Sequence, residues 1–83
     1  MSSQVPSHLA STVGRNIKSA REGRGLTQRD LARLCDDLDP QAVSRWERGK
    51  ITPSHKSLLF LAHVLERDPS WFYGEHSESG AAA

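Results

Sequence analysis

The sequence predicts an all-α fold, a compact bundle of five short helices around one core. Apolar residues recur at helical spacing through most of the chain, and no stretch of four or more residues alternates as a half-buried strand would. N-cap residues stand before four of the predicted helices, at Thr27, Asp39, Ser54 and Asp68. The periodicity and the capping signals therefore agree.

Size and composition restrict the chain to one small domain. The 83 residues are 36% hydrophobic, which supports a single core over residues 9–74, with a flexible arm at residues 1–8 and a flexible tail at residues 75–83. The single cysteine, Cys35, cannot form an internal disulfide and is typical of a reducing compartment. The longest apolar run, residues 58–62, is too short for a membrane span, and the polar start has no secretory segment. We expect a cytoplasmic protein.

The first helix is predicted to begin near residues 9–11 and to end at Gly23. At about 100° per residue, its apolar side chains share one face: Leu9, Ala10, Val13, Ile17 and Ala20. Gly23 and Gly25 suit its end, because glycine adopts the left-handed conformation that closes a helix.

Two short helices follow, joined by a tight turn. Thr27 is the N-cap of a second helix over residues 28–35. Asp39 is the N-cap of a third, and Pro40 suits its first position because a backbone N–H there would be unpaired. This third helix is predicted to end before Gly49.

The last two helices are predicted from the same signals. Ser54 caps a fourth helix that extends to residue 65, with an apolar stripe formed by Leu58, Leu61, Ala62 and Leu65. Asp68 precedes a fifth helix from Pro69 to Tyr73, which Gly74 ends.

The third helix combines an apolar face with a polar one. Trp46 and Val43 are predicted to face the core, and the opposite arc carries Pro40, Gln41, Ser44, Arg45 and Arg48. Such an arc, on a short helix anchored by a large aromatic side chain, suits the reading of base edges in the major groove of DNA. An ordinary amphipathic helix with a solvated face is the alternative. The short helix before it favours DNA, because the pair would form a helix-turn-helix.

The net charge is only +1, but its distribution along the chain is uneven. Residues 40–65 carry a local net charge of +3, and residues 66–83 one of −3. A basic middle segment fits a nucleic-acid partner, and ordinary solvated surface explains the same charges equally well.

Four segments form an ordered set of motifs. They are G-L-T-Q-R-D-L-A at residues 25–32, V-S-R-W-E-R-G-K at residues 43–50, T-P-S at residues 52–54 and L-L-F-L-A-H-V-L at residues 58–65. Together with Arg21 they resemble the Cro/cI-like helix-turn-helix DNA-binding proteins, also called the XRE family, which include phage repressors. The resemblance covers roughly residues 13–73. It implies a lambda-repressor-like bundle in which the second and third helices form the helix-turn-helix.

The resemblance implies a DNA-binding site centred on the third helix. Its base readers would be Pro40, Gln41 and Arg45, since glutamine can pair with adenine, arginine with guanine, and proline offers only apolar contact. Phosphate contacts would come from Gln28, Ser44, Arg48, Lys50 and Lys56. Gln28 would also buttress the third helix, whereas Lys50 and Lys56 are equally compatible with solvated surface.

The resemblance also pairs Arg21 of the first helix with Glu47 of the third. Glu47 lies at the edge of the apolar face beside Trp46, where an unpaired carboxylate would be costly to bury. The turn before the third helix is one residue longer than is usual in the family, with Asp36 and Asp37 where a glycine is common. We expect the turn to absorb the extra residue and both carboxylates to face solvent.

The remaining polar residues predict no catalytic or cofactor site. Cys35 is expected to be a buried structural thiol. The histidines have no shared metal-ligand spacing, no Ser/His/Asp or Cys/His set can be assembled, and no phosphate-binding glycine loop is present. We therefore expect no enzyme, no cofactor and no small-molecule ligand.

Aromatic residues near the C-terminal end are candidates for a dimer interface. That surface would consist of Phe60, Val64, Trp71, Phe72 and Tyr73. The family often dimerises through this region, which would place two third helices about one DNA turn apart on a near-palindromic site. Packing of Trp71 or Phe72 in the core is the alternative.

These features predict a sequence-specific regulator of transcription that binds double-stranded DNA. The expected protein is a small phage or bacterial repressor that occupies its operator as a homodimer, cytoplasmic and nucleoid-associated when bound. The alternative is an antitoxin or adaptor that binds a partner protein through its aromatic C-terminal helices.

Overall fold

A computed structural model describes residues 4–76 and consists of four α-helices and one short 3-10 helix. The elements in chain order are α1 (Gln4–Gly23), α2 (Gln28–Leu34), α3 (Pro40–Glu47), α4 (His55–Leu65) and η1 (Pro69–Tyr73). No strand occurs in this part of the chain. The all-helical prediction is confirmed, whereas the fifth element is a 3-10 helix and not the fifth α-helix that was predicted.

Side-chain caps start three helices at the predicted residues. In each case an oxygen of the cap accepts a hydrogen bond from a backbone N–H two or three residues later, at 3.0 or 3.1 Å, and the caps are Thr27, Asp39 and Ser54. Such a cap stabilises a helix by about 1 kcal/mol because it satisfies a donor that has no intrahelical partner. Pro40 is the first residue of α3, as predicted.

The cap of α2 is reciprocal. The Thr27 hydroxyl accepts from the Asp30 backbone, and the Thr27 backbone N–H donates to Asp30 Oδ2 at 3.0 Å. This backbone donor lowers the pKa of the Asp30 carboxyl. This capping box was not predicted, although its signature, a threonine followed three residues later by an acid, is present at these positions.

The first helix is longer than predicted. It begins at Gln4 and not near residues 9–11, so residues 4–8 of the expected flexible arm are helical. Pro6 does not interrupt it, because a proline in the first turn removes only an N–H that has no intrahelical acceptor. Residues 1–3 lie outside the described part of the chain.

The last element is 3-10 because it is a single turn between a proline and a glycine. The Trp71 N–H donates to the Asp68 carbonyl at 2.9 Å, and the Gly74 N–H donates to the Trp71 carbonyl at 3.2 Å. In an element of only five residues, hydrogen bonds between residues three apart can satisfy more of the backbone than bonds between residues four apart.

The aromatic side chains of η1, which were predicted to share a surface, differ in burial. At about 120° per residue, three consecutive residues point in three directions. Phe72 is completely buried, Trp71 is partly buried, and Tyr73 is 46% exposed. The assignment of Phe72 to a dimer interface is therefore wrong, and the alternative, packing in the core, is confirmed for this residue. Phe60 and Val64 are also partly buried and pack against the core.

One core joins all five elements. Its largest fully buried side chains are Phe72, Ile17, Leu31, Leu58, Leu61, Val13, Val43 and Cys35. The prediction that Cys35 is a buried structural thiol is confirmed, and burial raises the pKa of this thiol to about 11.

The segment after η1 folds back onto α1. Glu75 Oε2 lies 3.3 Å from His8 Nε2 near the start of that helix. The His76 ring stacks on the Trp71 indole with a centroid separation of 4.4 Å. Glu75 and His76 were expected in a flexible tail, and both contact the domain. The rest of that tail lies outside the described residues.

A buried asparagine fastens η1 to α1. Asn16 is only 7% exposed, and its Nδ2 donates to the carbonyls of Phe72 and Gly74, both at 2.8 Å. The side-chain amide has two N–H donors, so both are used. The Asn16 amide therefore supplies partners to two main-chain carbonyls that η1 itself cannot satisfy.

We expect Asn16→Ala to lower the free energy of unfolding by about 2 kcal/mol, because two carbonyl groups in a largely buried site lose their donor. Urea denaturation followed by circular dichroism measures the change. Ser19→Ala, at an exposed position of the same helix, serves as the control and should change stability by less than about 0.5 kcal/mol. Equal midpoints for the two variants would contradict the role assigned to Asn16.

Candidate nucleic-acid interface

The orientation of α3 agrees with the prediction. Trp46 is 5% exposed and Val43 is fully buried, so both face the core. On the opposite arc Gln41, Arg45 and Arg48 are exposed, and Pro40 and Ser44 are partly exposed. The indole thus lies beneath the helix, and the polar side chains that were predicted to contact DNA lie together on its outer surface.

An ion pair holds α3 against α1. Arg21 Nε donates to Glu47 Oε2 at 2.6 Å, and Arg21 Nη2 donates to Glu47 Oε1 at 3.0 Å. The side chains are 11% and 3% exposed, so the pair is largely removed from water. Hydrogen bonding to Glu47 raises the pKa of Arg21. This bidentate ion pair is the one predicted from the sequence, and it fixes the C-terminal end of α3 against α1.

Gln28 adds α2 to the same network. Its Nε2 donates to Glu47 Oε1 at 3.0 Å, while Arg21 Nη1 donates to the Leu26 carbonyl at 2.8 Å. The prediction that Gln28 buttresses α3 is therefore consistent with the structure. Through one carboxylate, the network ties α1, α2 and α3 together, and so it sets how α3 lies relative to α2.

Glycine permits a close approach of α1 to the end of α3. A Cβ atom at Gly14 would lie 2.2 Å from the Trp46 carbonyl oxygen. Gly49, which follows α3, has a left-handed φ of 74°, and a Cβ there would lie 3.3 Å from the Ser11 Cα. Neither contact was predicted. An isolated glycine inside a helical pattern, as at position 14, is the only signal that could have indicated one of them.

The turn between α2 and α3 contains two successive left-handed residues. Asp36 has a φ of 67° and Asp37 a φ of 60°, and both are exposed. The Leu38 N–H donates to the Ala32 carbonyl at 2.8 Å and closes the turn. Aspartate tolerates this conformation better than most residues. Both aspartate side chains are exposed to solvent, as expected.

The predicted phosphate-contact residues do not all lie on α3. Ser44 and Arg48 belong to α3 or follow it directly, Gln28 is brought to it through Glu47, and Lys56 lies in the first turn of α4. Lys50 is exposed in the loop between the two helices. The proposed site therefore has α3 at its centre and contributions from the elements on either side of it.

Within the described residues, no three or more His, Cys, Asp or Glu side chains come together as a metal site would require. Among the same residues, no helix is both long and apolar enough to cross a membrane.

Comparison with known proteins identifies the arrangement. Residues 17–72, about two thirds of the chain, match the helix-turn-helix family. The chain belongs to the XRE family of helix-turn-helix proteins. The matched part of this XRE domain begins in α1 and ends in η1, so it includes α2, the turn and α3. In the helix-turn-helix of DNA-binding proteins the second helix is the recognition helix, and α3 occupies that position here.

Three curated relatives align with the XRE domain. The HTH-type transcriptional regulator DicA of Escherichia coli K12 is 38% identical over 60 residues, which is 72% of this chain and 44% of DicA. The endothelial differentiation-related factor 1 homolog of Xenopus laevis is 34% identical over 53 residues, or 64% of this chain and 35% of that protein. The putative multi-protein-binding factor 1 of Yarrowia lipolytica is 33% identical over 61 residues, or 74% and 40%. The chain matches less than half the length of each relative.

Proposed function

We propose that this chain is a sequence-specific regulator of transcription that binds double-stranded DNA. The observation that carries the proposal is the orientation of α3, with Trp46 buried beneath it and Gln41 and Arg45 exposed on the opposite arc. Membership of the helix-turn-helix family supports the proposal. The relative DicA, described as a transcriptional regulator, supports it as well.

In the proposed complex the N-terminal part of α3 enters the major groove. Gln41 pairs with adenine through N6 and N7, and Arg45 pairs with guanine through O6 and N7. Pro40 contributes apolar contact, for example with a thymine methyl group. These three residues lie within two turns of a helix whose end is fixed by the Arg21 and Glu47 pair, so their positions relative to one another are constrained.

Phosphate contacts fix the register of the protein on DNA without reading sequence. The proposed residues are Gln28, Ser44, Arg48, Lys50 and Lys56. Because Gln28 also donates to Glu47, a phosphate bound at the start of α2 would be connected to the recognition helix through one hydrogen bond. Release of counterions by the cationic residues would make binding depend on salt concentration.

The protein is proposed to act as a phage or bacterial repressor that occupies its operator and excludes polymerase. A homodimer on a near-palindromic site would place two copies of α3 about one DNA turn apart. Phe72 is buried and is left out of the proposed dimer interface. The remaining residues of the interface are Phe60, Val64, Trp71 and Tyr73. We propose that the protein is cytoplasmic and that it associates with the nucleoid when it binds DNA. We propose that it needs no cofactor and catalyses no reaction.

Two arginine variants separate base reading from phosphate contact. Arg45→Ala is expected to weaken binding to the preferred site by about 1–3 kcal/mol and to relax the preference at one base pair. Arg48→Ala is expected to weaken binding to all sequences alike and to reduce the salt slope by about one unit. Each variant removes one positive charge from the same end of the domain, so each is the control for the other. Affinity is measured by fluorescence anisotropy on a site selected from a random duplex pool and on a scrambled duplex. Equal losses on both duplexes for both variants would exclude Arg45 as a base reader.

A second candidate function is binding of a partner protein, as an antitoxin or adaptor would do. The relative from Yarrowia lipolytica is described as a putative multi-protein-binding factor, which favours this candidate. The burial of Phe72 removes one of the aromatic side chains that such a partner, like a second copy of this chain, was expected to contact. Steep salt dependence of binding to duplex DNA would support the first function, and salt-insensitive binding to a co-purifying protein would support the second.

A further inference from the structure

The N-cap of the recognition helix carries a carboxylate at the end that the proposed complex places in the major groove. Asp39 is exposed and has extended backbone geometry, with φ −68° and ψ 126°. Its Oδ1 accepts a hydrogen bond from the Gln41 N–H at 3.0 Å. The side chain is therefore held at the tip of α3, directly before the proposed base readers Pro40 and Gln41.

The second oxygen of this carboxylate is available to a ligand. Asp39 Oδ2 makes no hydrogen bond within the described part of the chain, whereas Oδ1 is used by the cap. An ionised carboxylate can only accept hydrogen bonds. Asp39 thus presents a single fixed acceptor beside Gln41, which carries both donor and acceptor groups.

The edges of the base pairs differ sharply in how they suit such an acceptor. In the major groove cytosine offers the N4 amino donor, and adenine offers the N6 amino donor next to the acceptor N7. Guanine offers only the acceptors N7 and O6, and thymine offers the acceptor O4 and a methyl group. A carboxylate that meets guanine or thymine leaves two acceptors facing each other, and the phosphates add repulsion. An amino donor compensates for the negative charge, and cytosine suits a carboxylate better than adenine does because adenine places the acceptor N7 beside its amino group.

We infer that Asp39 is a specificity-determining residue that accepts a hydrogen bond from cytosine N4 at the position next to the Gln41 contact. The inference rests on the proposed function. Asp39 then has two roles: it caps α3 with one oxygen and selects against guanine and thymine with the other.

Substitutions can separate these roles, because asparagine and serine cap helices as well as aspartate does. Asp39→Asn retains the cap and replaces the carboxylate with an amide, which pairs with adenine N6 and N7. Asp39→Ser retains the cap and shortens the side chain. Neither variant is therefore expected to unfold the domain.

A matched control is present in the turn that precedes Asp39. Asp37→Asn removes the same charge from an exposed residue in a left-handed conformation, which asparagine also tolerates. If Asp39 acted only through its charge, Asp37→Asn and Asp39→Asn would raise affinity for all sequences and leave the preferred motif unchanged.

The test is selection of bound sequences from a random duplex pool with the wild-type chain and the three variants. We expect the wild-type motif to contain a cytosine preferred over guanine and thymine by about tenfold next to the adenine contacted by Gln41. Asp39→Asn should change this preference to adenine, Asp39→Ser should abolish it, and Asp37→Asn should retain it. Thermal denaturation of each variant verifies that the cap is intact.

The two proposals can fail separately. A wild-type motif that Asp39→Asn reproduces without change would overturn the role of Asp39 and leave the DNA-binding function standing. Failure of the wild-type chain to select any motif would overturn the DNA-binding function, and the inference about Asp39 with it.

Discussion

Replacement of Glu47 by alanine is expected to lower the free energy of unfolding by about 3–5 kcal/mol. The substitution leaves the Arg21 guanidinium, whose side chain is 11% exposed, without its carboxylate partner, and it removes the acceptor of the Gln28 amide. A small domain has a total stability of about 5–15 kcal/mol, so this one contact accounts for a large share of it. Urea denaturation followed by tryptophan fluorescence measures the loss, since Trp46 lies directly beside Glu47.

The control for this variant uses the same guanidinium. Glu22 Oε2 lies 3.8 Å from Arg21 Nη2, but the Glu22 side chain is 57% exposed. Because exposed ion pairs contribute little, Glu22→Ala should cost less than about 1 kcal/mol. If the two alanine variants were equally stable, burial of the Arg21 and Glu47 pair would not be a major source of stability.

Gly14→Ala is expected to destabilise the domain by about 3 kcal/mol, although alanine ordinarily favours a helix over glycine by about 1 kcal/mol. The added Cβ would lie 2.2 Å from the Trp46 carbonyl oxygen, a main-chain atom that can move only together with α3. The same displacement should weaken DNA binding, because it shifts the recognition helix. Thermal denaturation and anisotropy titration measure the two effects.

Gly23→Ala is the matched control, at the C-terminal end of the same helix. No atom lies within 4 Å of a Cβ built at Gly23. This substitution should leave stability unchanged or raise it slightly, since only the helix propensity changes. A loss at Gly23 as large as that at Gly14 would show that the glycines act through backbone conformation and not through the approach of α1 to α3.

The parts of the fold that local chemistry determines could be predicted from the sequence. The caps Thr27, Asp39 and Ser54 act on backbone donors only two or three residues away, so their effect is visible in a short window. The inward direction of Trp46 follows from helical periodicity alone. The Arg21 and Glu47 pair spans 26 residues, and it was predicted because a family resemblance supplied the long-range information.

The parts that depend on contacts distant in the chain could not be predicted in this way. Core packing of Phe72 was one of two alternatives from the sequence, and the hydrogen bond from Asn16 to the Phe72 carbonyl, 56 residues away, is a contact that no local pattern encodes. The start of α1 at Gln4 was not predicted because the short, mainly polar segment of residues 4–8 has no apolar periodicity. For Asp36 and Asp37 the family resemblance indicated only a turn one residue longer than usual. It did not indicate that both residues adopt the left-handed conformation.

The buried position of Cys35 has a practical consequence. Its pKa of about 11 means that almost no thiolate exists at neutral pH, and the sulfur has no access to solvent. Oxidants and maleimides react with exposed thiolates, so neither should modify the folded domain. A fluorophore can therefore be attached through a new surface cysteine without first removing the natural one.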